Sequence, residues 1–278
     1  MRKELTYRKS IPLNELYGYM QRWKSRAGDY VNIESIGKSS GFDLWMAKWT
    51  DPSVDDRYKE IALVTAQHSG MEISGMNAVL GVGNLLSGLS EKAREILKKQ
   101  IVLMIPCCNP FSYGKQDVAY MFKNEFGKCE FASSFSYGGV KEPDKTPSAA
   151  LIQRIIDEYK PEAFFDNHGV WYDNQIMQEN FGNLSGSNMN RLHDRSFVEA
   201  VLDIAKSEGY PSYHDYDCQT LPPSDDICKQ AEHKSKFSFG SELCLAQCYS
   251  YFHYHTLAGS FEAAWEKSGT TRLSTPCI

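Results

Sequence analysis

Four residues in this sequence have the types and positions for metal-assisted hydrolysis. His68 and Glu72 lie in the polar knot Gln67-His68-Ser69-Gly70-Met71-Glu72, directly after the apolar run at 61–66. His168 follows a second apolar run, Ala163-Phe164-Phe165-Asp166, and Glu262 stands inside a third at 259–265. A catalytic zinc takes three protein ligands, commonly two histidines and a carboxylate, and leaves one position for water. That chemistry assigns His68, Glu72 and His168 as ligands and Glu262 as the base that deprotonates the water. Each residue taken alone has a competing account as a hydrogen-bonded polar group at a sheet rim. Two histidines at strand ends together with two suitably placed glutamates favour the joint reading. The H-E-x-x-H zincin pattern is absent.

Elements of definite type must bring these residues together. Residues 61–66 are short, apolar and β-branched, which reads as an interior strand. Met76, Val79 and Leu80 follow at helical spacing, so a helix opens near Ile73. His68 and Glu72 then sit just past the carboxyl end of a strand, the rim where open α/β sheets bind ligands. Upstream, 13–26 has helical spacing and ends at Ala27-Gly28, a plausible helix stop. Residues 30–36 and 42–49 alternate as a hairpin around Ser39-Ser40-Gly41. Gly37-Lys38-Ser39-Ser40-Gly41 matches G-x-S-x-G, but a nucleophile elbow needs strand, turn and helix, and here a strand follows the turn.

Further along, Ser90 caps a helix at 91–99, residues 101–106 form a second interior strand, and 147–159 is an amphipathic helix. The aromatic stretch at 107–146 has little periodicity and reads as a loop able to wall a pocket. Residues 170–191 and 215–233 also read as loops, and 194–207 reads as a helix closed by Gly209. Strand-like patterns at 249–252 and 259–265 complete the series, and the first would set His253 and His255 on one face. Gly81 and Gly83 inside the helix after Glu72 point to close helix packing. Strands alternating with helices, with no repeat or linker, imply one α/β domain over 1–278 with a mostly parallel or mixed central sheet and helices on both faces.

Composition narrows the function classes. A net charge of −5 gives no electrostatic footprint for nucleic acid. No apolar run approaches a membrane span. The N-terminal MRKELTYRKSIPLNEL carries charge without an apolar core, so a secretory signal is not expected and a cytoplasmic location is. Among the eight cysteines, Cys107-Cys108 reads as a pair of small buried hydrophobes. Cys244 and Cys248, with Cys218 and Cys228, have too irregular a spacing for a metal site, and reduced thiols are the expectation.

The same residues resemble the zinc carboxypeptidases and their relatives over nearly the whole chain. Ile36-Gly37-Lys38-Ser39 with Gly41 is similar to that family's early hairpin. His68 and Glu72 fall at its His-x-x-Glu pair, and Asn109-Pro110 at the start of its Asn-Pro-Asp-Gly turn. Asp166-Asn167-His168 resembles its Asp-x-His strand, and Phe261-Glu262 its late strand bearing the catalytic glutamate. The resemblance implies a three-layer fold, a Zn2+ cofactor and hydrolysis of a peptide or small amide. It implies that Glu262 passes a proton from the metal-activated water to the leaving amine; the oxyanion needs a donor as well, for which this sequence offers Lys123 or Tyr172 as candidates.

Two departures bear on the substrate and the metal. Three residues, rather than two, separate His68 from Glu72, which puts a local kink at Gly70. The family's Asn-Arg clamp for a terminal carboxylate has no counterpart. Between Asn109 and His168 the single arginine is Arg154, inside the 147–159 helix, and Lys115, Lys123 and Lys128 are point charges rather than forks. An N-acyl amino acid deacylase on the same scaffold, similar to the aspartoacylase relatives, is therefore an alternative. A non-catalytic binding domain that has lost its metal is another.

Overall fold

The central strands are buried along nearly their whole length, and each face of the sheet carries its own core. The computed structural model describes residues 11–66, 70, 72–115, 122–130, 134–136, 138–171, 177–181, 200, 203–204, 207, 212–213 and 246–265. Side chains at 74, 168–171, 177–181, 212–213, 247–248 and 259–265 are outside that description. In chain order the elements are α1 (Leu13–Ala27), β1 (Val31–Ser39), β2 (Phe42–Trp49), β3 (Glu60–Ala66), α2 (Ile73–Ser87), α3 (Glu91–Lys99), β4 (Gln100–Ile105) and α4 (Pro110–Lys115). They continue with β5 (Phe135–Ser136), β6 (Gly139–Val140), α5 (Pro147–Tyr159), β7 (Ala163–Trp171), β8 (Met177–Phe181), β9 (Ser212–Tyr213), α6 (Ala246–Tyr254) and β10 (Leu257–Trp265).

The main sheet runs β1-β2-β4-β3-β7-β10-β8-β9, and β5 and β6 form a separate small hairpin. β4, β3, β7 and β10 are parallel neighbours; β2 joins β4 and β8 joins β10 antiparallel. One face buries Val64, Ala66, Val102 and Met104 against Trp23 of α1, Met76, Val79 and Leu80 of α2, and Leu97 of α3. The other buries Leu63, Leu103, Ile105 and Phe164 against Ile152 and Ile156 of α5 and Tyr249 of α6. The fold is therefore a three-layer α/β arrangement with a mixed central sheet, as the alternation of elements implies. Among the described residues no helix is long and apolar enough to cross a membrane.

Local signals account for most boundaries. The Ser90 hydroxyl accepts the Ala93 N–H at 3.2 Å and starts α3. Pro147 opens α5, and Lys160 ends it in the left-handed conformation, φ 46°. Ser40 and Gly41 turn β1 into β2, and Ser39 is bonded to Ser148 at 2.7 Å, so the G-x-S-x-G serine is a packing residue. Gly83 meets the Trp23 indole so closely that a Cβ there would overlap it. Trp23 in turn donates to Asn84 at 3.0 Å. At the amino ends of the strands, buried Lys59 donates to Thr50, the Asp51 carbonyl and Asp56.

Four expectations are corrected. Residues 249–252 belong to α6, a helix, because a short aromatic run satisfies strand and helix patterns alike. His253 accordingly lies in the last turn of α6 and His255 just beyond it with φ 59°, not on one strand face. β7 does not stop near His168 but continues to Trp171, and β8 follows inside the segment read as a loop. The stretch 107–146 contains α4, the β5–β6 hairpin and a bridge between Lys123 and Cys129. Most of the 194–207 segment, and all of 215–233, lie outside the described residues.

That stretch is tied to α5 through a carboxylate. Glu130 is fully buried, accepts from Asn124 at 2.7 Å and from the Ala149 N–H at 3.2 Å, and so satisfies donors at the start of the helix. Burial pushes its pKa up to about 7, against the lowering effect of the Asn124, Ala149 and Ser148 hydrogen bonds.

Two outcomes follow. Gly83→Ala forces a methyl into the Trp23 ring and lowers stability by about 1–3 kcal/mol in urea unfolding. The folded Glu130 carboxyl keeps its proton up to about 7, whereas its ordinary value is 4.5. The folded state therefore holds an extra proton between those values. Stability falls as pH rises through that window, with a slope approaching about 1.4 kcal/mol per pH unit. Glu130→Gln, compared by urea unfolding at a series of pH values, flattens that slope.

Candidate metal centre

The sheet brings the carboxyl ends of β3, β7 and β10 side by side. Register pairs Thr65 with Asp166 and Ala66 with Asn167 between β3 and β7. It pairs Ser260 with Asp166 and Glu262 with His168 between β10 and β7. Strand positions alternate between faces, so positions 166 and 168 share the face of Phe164, and positions 260 and 262 lie beside them. β3 ends at Ala66, and the chain runs through the His68 segment to Glu72, which starts α2.

Three buried polar side chains mark the bottom of this rim. Glu72 is 4% exposed and Asp166 2%. The Thr65 hydroxyl donates to Asp166 Oδ1 at 2.5 Å, and Asn167 Nδ2 donates to the Thr65 carbonyl at 3.2 Å. Cys107 and Cys108 are both buried free thiols. Burial pushes the Cys108 thiol far up, and Asp166, Cys107 and Glu72 push it further. Both carboxylates, Glu72 of the β3–α2 connection and Asp166 of β7, thus oppose ionisation of the same thiol. The thiol stays neutral there and packs as the small hydrophobe its sequence context implies.

The connection from β4 to α4 lies against the same segment. Cys108 N–H donates to the Ala66 carbonyl at 3.0 Å. Gly70 N–H donates to Ser112 Oγ at 2.7 Å, and a Cβ on Gly70 would run into the Ser112 backbone. Gly70 is needed for this close approach. Asn109, of the Asn-Pro pair, accepts the Ser112 N–H at 3.2 Å and opens α4.

Of the four predicted residues, Glu72 is described in full. His168 and Glu262 are described as backbone, in paired register, and His68 lies outside the described residues. Among the described residues no cluster of three or more His, Cys, Asp or Glu is gathered for a metal. The donor chemistry nonetheless fits one. A buried carboxylate, Glu72, at the strand rim and a histidine position on β7, paired directly with the Glu262 position of the adjacent β10, are of the types a catalytic zinc takes.

The other named residues have structural duties or lie elsewhere. Arg154 donates to the Ile36 carbonyl from α5. Lys128 pairs with Glu142 at 2.7 Å and, with Lys145, holds that carboxyl down at about 2. The Lys115 ammonium sits 5.3 Å from the Phe111 ring centre. Lys123 is exposed. Tyr172, Cys218, Cys228 and Cys244 lie outside the described residues, and Cys248 falls within α6. Sequence reasoning did not single out Thr65 or Ser112; it read Cys108 only as half of a buried apolar pair and used Asp166 only as part of a motif. The available signal was a carboxylate two residues before His168, hence on the same strand face.

No family model matches the sequence, and no curated protein matches it. Solved structures do. A metallo-carboxypeptidase from Burkholderia cenocepacia is similar with a TM-score of 0.66 at 14% identity, over 90% of this chain and 59% of that one. A metallo-carboxypeptidase from Pseudomonas aeruginosa is similar with a TM-score of 0.61 at 14% identity, over 90% and 59%. The carboxypeptidase A of Helicoverpa armigera is similar with a TM-score of 0.66 at 14% identity, over 100% and 70%. This chain thus spans about three-fifths of the length of the two bacterial proteins. At these identities the likeness is one of fold: the chain has the carboxypeptidase-like three-layer architecture.

Thr65→Val removes the hydroxyl that donates to the buried Asp166 while keeping the side chain's shape. Urea unfolding is expected to show a loss of about 1–3 kcal/mol, the penalty for a buried acceptor deprived of its donor.

Proposed function

We propose that this chain is a zinc-dependent hydrolase of amide or peptide bonds, with His68, Glu72 and His168 holding the metal and Glu262 as general base. The observation that carries the reading is the β7–β10 register, which pairs Glu262 with His168. β3, on the other side of β7, leads into His68 and Glu72. A bound zinc would polarise the substrate carbonyl and bring the pKa of a water toward neutrality.

The chain's own residues supply the rest. Glu262 takes a proton from the attacking water and delivers it to the departing amine, so the amide yields a carboxylate and an amine. Lys123 or Tyr172 donates to the oxyanion that forms at the carbonyl oxygen. The buried Asp166, fixed by the Thr65 hydroxyl, stands two residues before His168 on the same strand. The proposed substrate is a peptide or small amide, met in the cytoplasm.

A second reading, a deacylase of N-acyl amino acids, is favoured by the engagement of Arg154. That arginine, the single one between Asn109 and His168, lies on α5 and donates to the Ile36 carbonyl of β1, the strand at the far edge of the sheet beyond β2. Peptides with free and blocked C-termini, assayed side by side with N-acyl amino acids, separate the two: a carboxypeptidase needs the free carboxylate.

Purified protein is expected to carry one zinc per chain by elemental analysis, and His68→Ala to lose it. Glu262→Gln is expected to keep the zinc and lose activity about 10²–10⁴-fold. Zinc absent from the wild type, or retained in full by His68→Ala, would instead make this a binding domain without the metal. Activity undiminished in Glu262→Gln would remove Glu262 from the mechanism.

A further inference from the structure

We infer that the β4–α4 connection is the template for the metal-ligand loop, and that Ser112 is the positioning residue that lets a His-x-x-x-Glu spacing serve. This rests on the metal-centre reading above. Two hydrogen bonds from one short connection bracket the loop. Cys108 N–H holds the Ala66 carbonyl, at the last residue of β3, and Ser112 Oγ holds the Gly70 N–H. His68 stands in the sequence midway between these two anchors, and Glu72 stands two residues past the second.

Both anchors are buried, and both sit on a rigid support. Ser112 is fully buried, with its backbone N–H taken by Asn109. Tyr113, beside it, donates to the Ile11 carbonyl at 2.5 Å and pins α4 to the start of the α1 layer. The Gly70 backbone packs on Ser112 with no room for a side chain. An extra residue between two ligands lengthens the loop and adds conformations in which they do not converge. Tying the middle of that loop to a fixed hydroxyl removes them. Oriented outer partners of this kind raise metal affinity without touching the ion.

The test compares the wild-type chain with Ser112→Ala and with Ser90→Ala. The second variant removes the cap of α3, a structural hydrogen bond away from the ligand loop. Ser112→Cys, which nearly keeps the side chain's size with a weaker acceptor, replaces Ser112→Ala if that variant folds poorly. Zinc dissociation constants come from chelator competition, and the absorption spectrum of the cobalt-substituted protein reports ligand geometry. Ser112→Ala is expected to bind zinc about 10–100-fold more weakly and to shift the cobalt bands, while Ser90→Ala changes neither. Wild-type affinity and an unshifted cobalt spectrum in Ser112→Ala would overturn the inference. Equal weakening in both variants would overturn it too, since the effect would then be one of stability. If His68→Ala binds zinc as the wild type does, the metal-centre reading itself has failed, and that result is distinct from the others.

Discussion

Parallel pairing of β3, β7 and β10 is the constraint from which the rest of the architecture follows. Parallel neighbours cannot be joined by a tight turn, so each return needs a crossover that covers a face of the sheet. α2 and α3 return the chain from β3 to β4, α5 precedes β7 and α6 precedes β10. With both faces covered, these strands are apolar on both sides. Among the polar residues of these strands, Thr65, Asp166 and Asn167 lie toward the carboxyl ends, where Thr65 donates to Asp166 and Asn167 to the Thr65 carbonyl. The layers and the site thus have one origin.

Electrostatics at the rim are those of buried acids near neutral thiols. Glu72 and Asp166 both act on Cys108, and burying carboxylates is costly unless a cation or donors offset it. The basic side chains flanking the site in sequence are held elsewhere: Arg154 by Ile36, Lys128 by Glu142 and Lys115 over Phe111.

Legibility in the sequence followed the range of the interactions. The hairpin turn at Ser40 and Gly41, the Ser90 cap and the Pro147 start depend on near neighbours, and each was readable. So was the tight packing at Gly83. The segment 249–252 was not, because its aromatic residues suit both periods, and only packing of Tyr249 and Tyr254 on Asp157 of α5 fixes the helix. The extent of β7 escaped because pairing with β10, distant in sequence, carries it through polar residues to Trp171. At the rim, the candidate residue types stand in the sequence itself, while the Ser112 bond to Gly70 joins segments with no local pattern in common.

The register also orders events in time. β3 aligns Ala62 with Ala163 of β7, and β7 aligns Ala163 with Leu257 of β10. Each pairing closes a long stretch of chain, and that entropy is spent before the contacts return anything. The β1–β2 hairpin and the helices can form early from local contacts, but the rim is complete only when β10 has docked. The proposed ligand positions lie on the β3–α2 connection and on β7, so pairing of β7 with β3 would already assemble that set, and docking of β10 then adds the Glu262 position beside it.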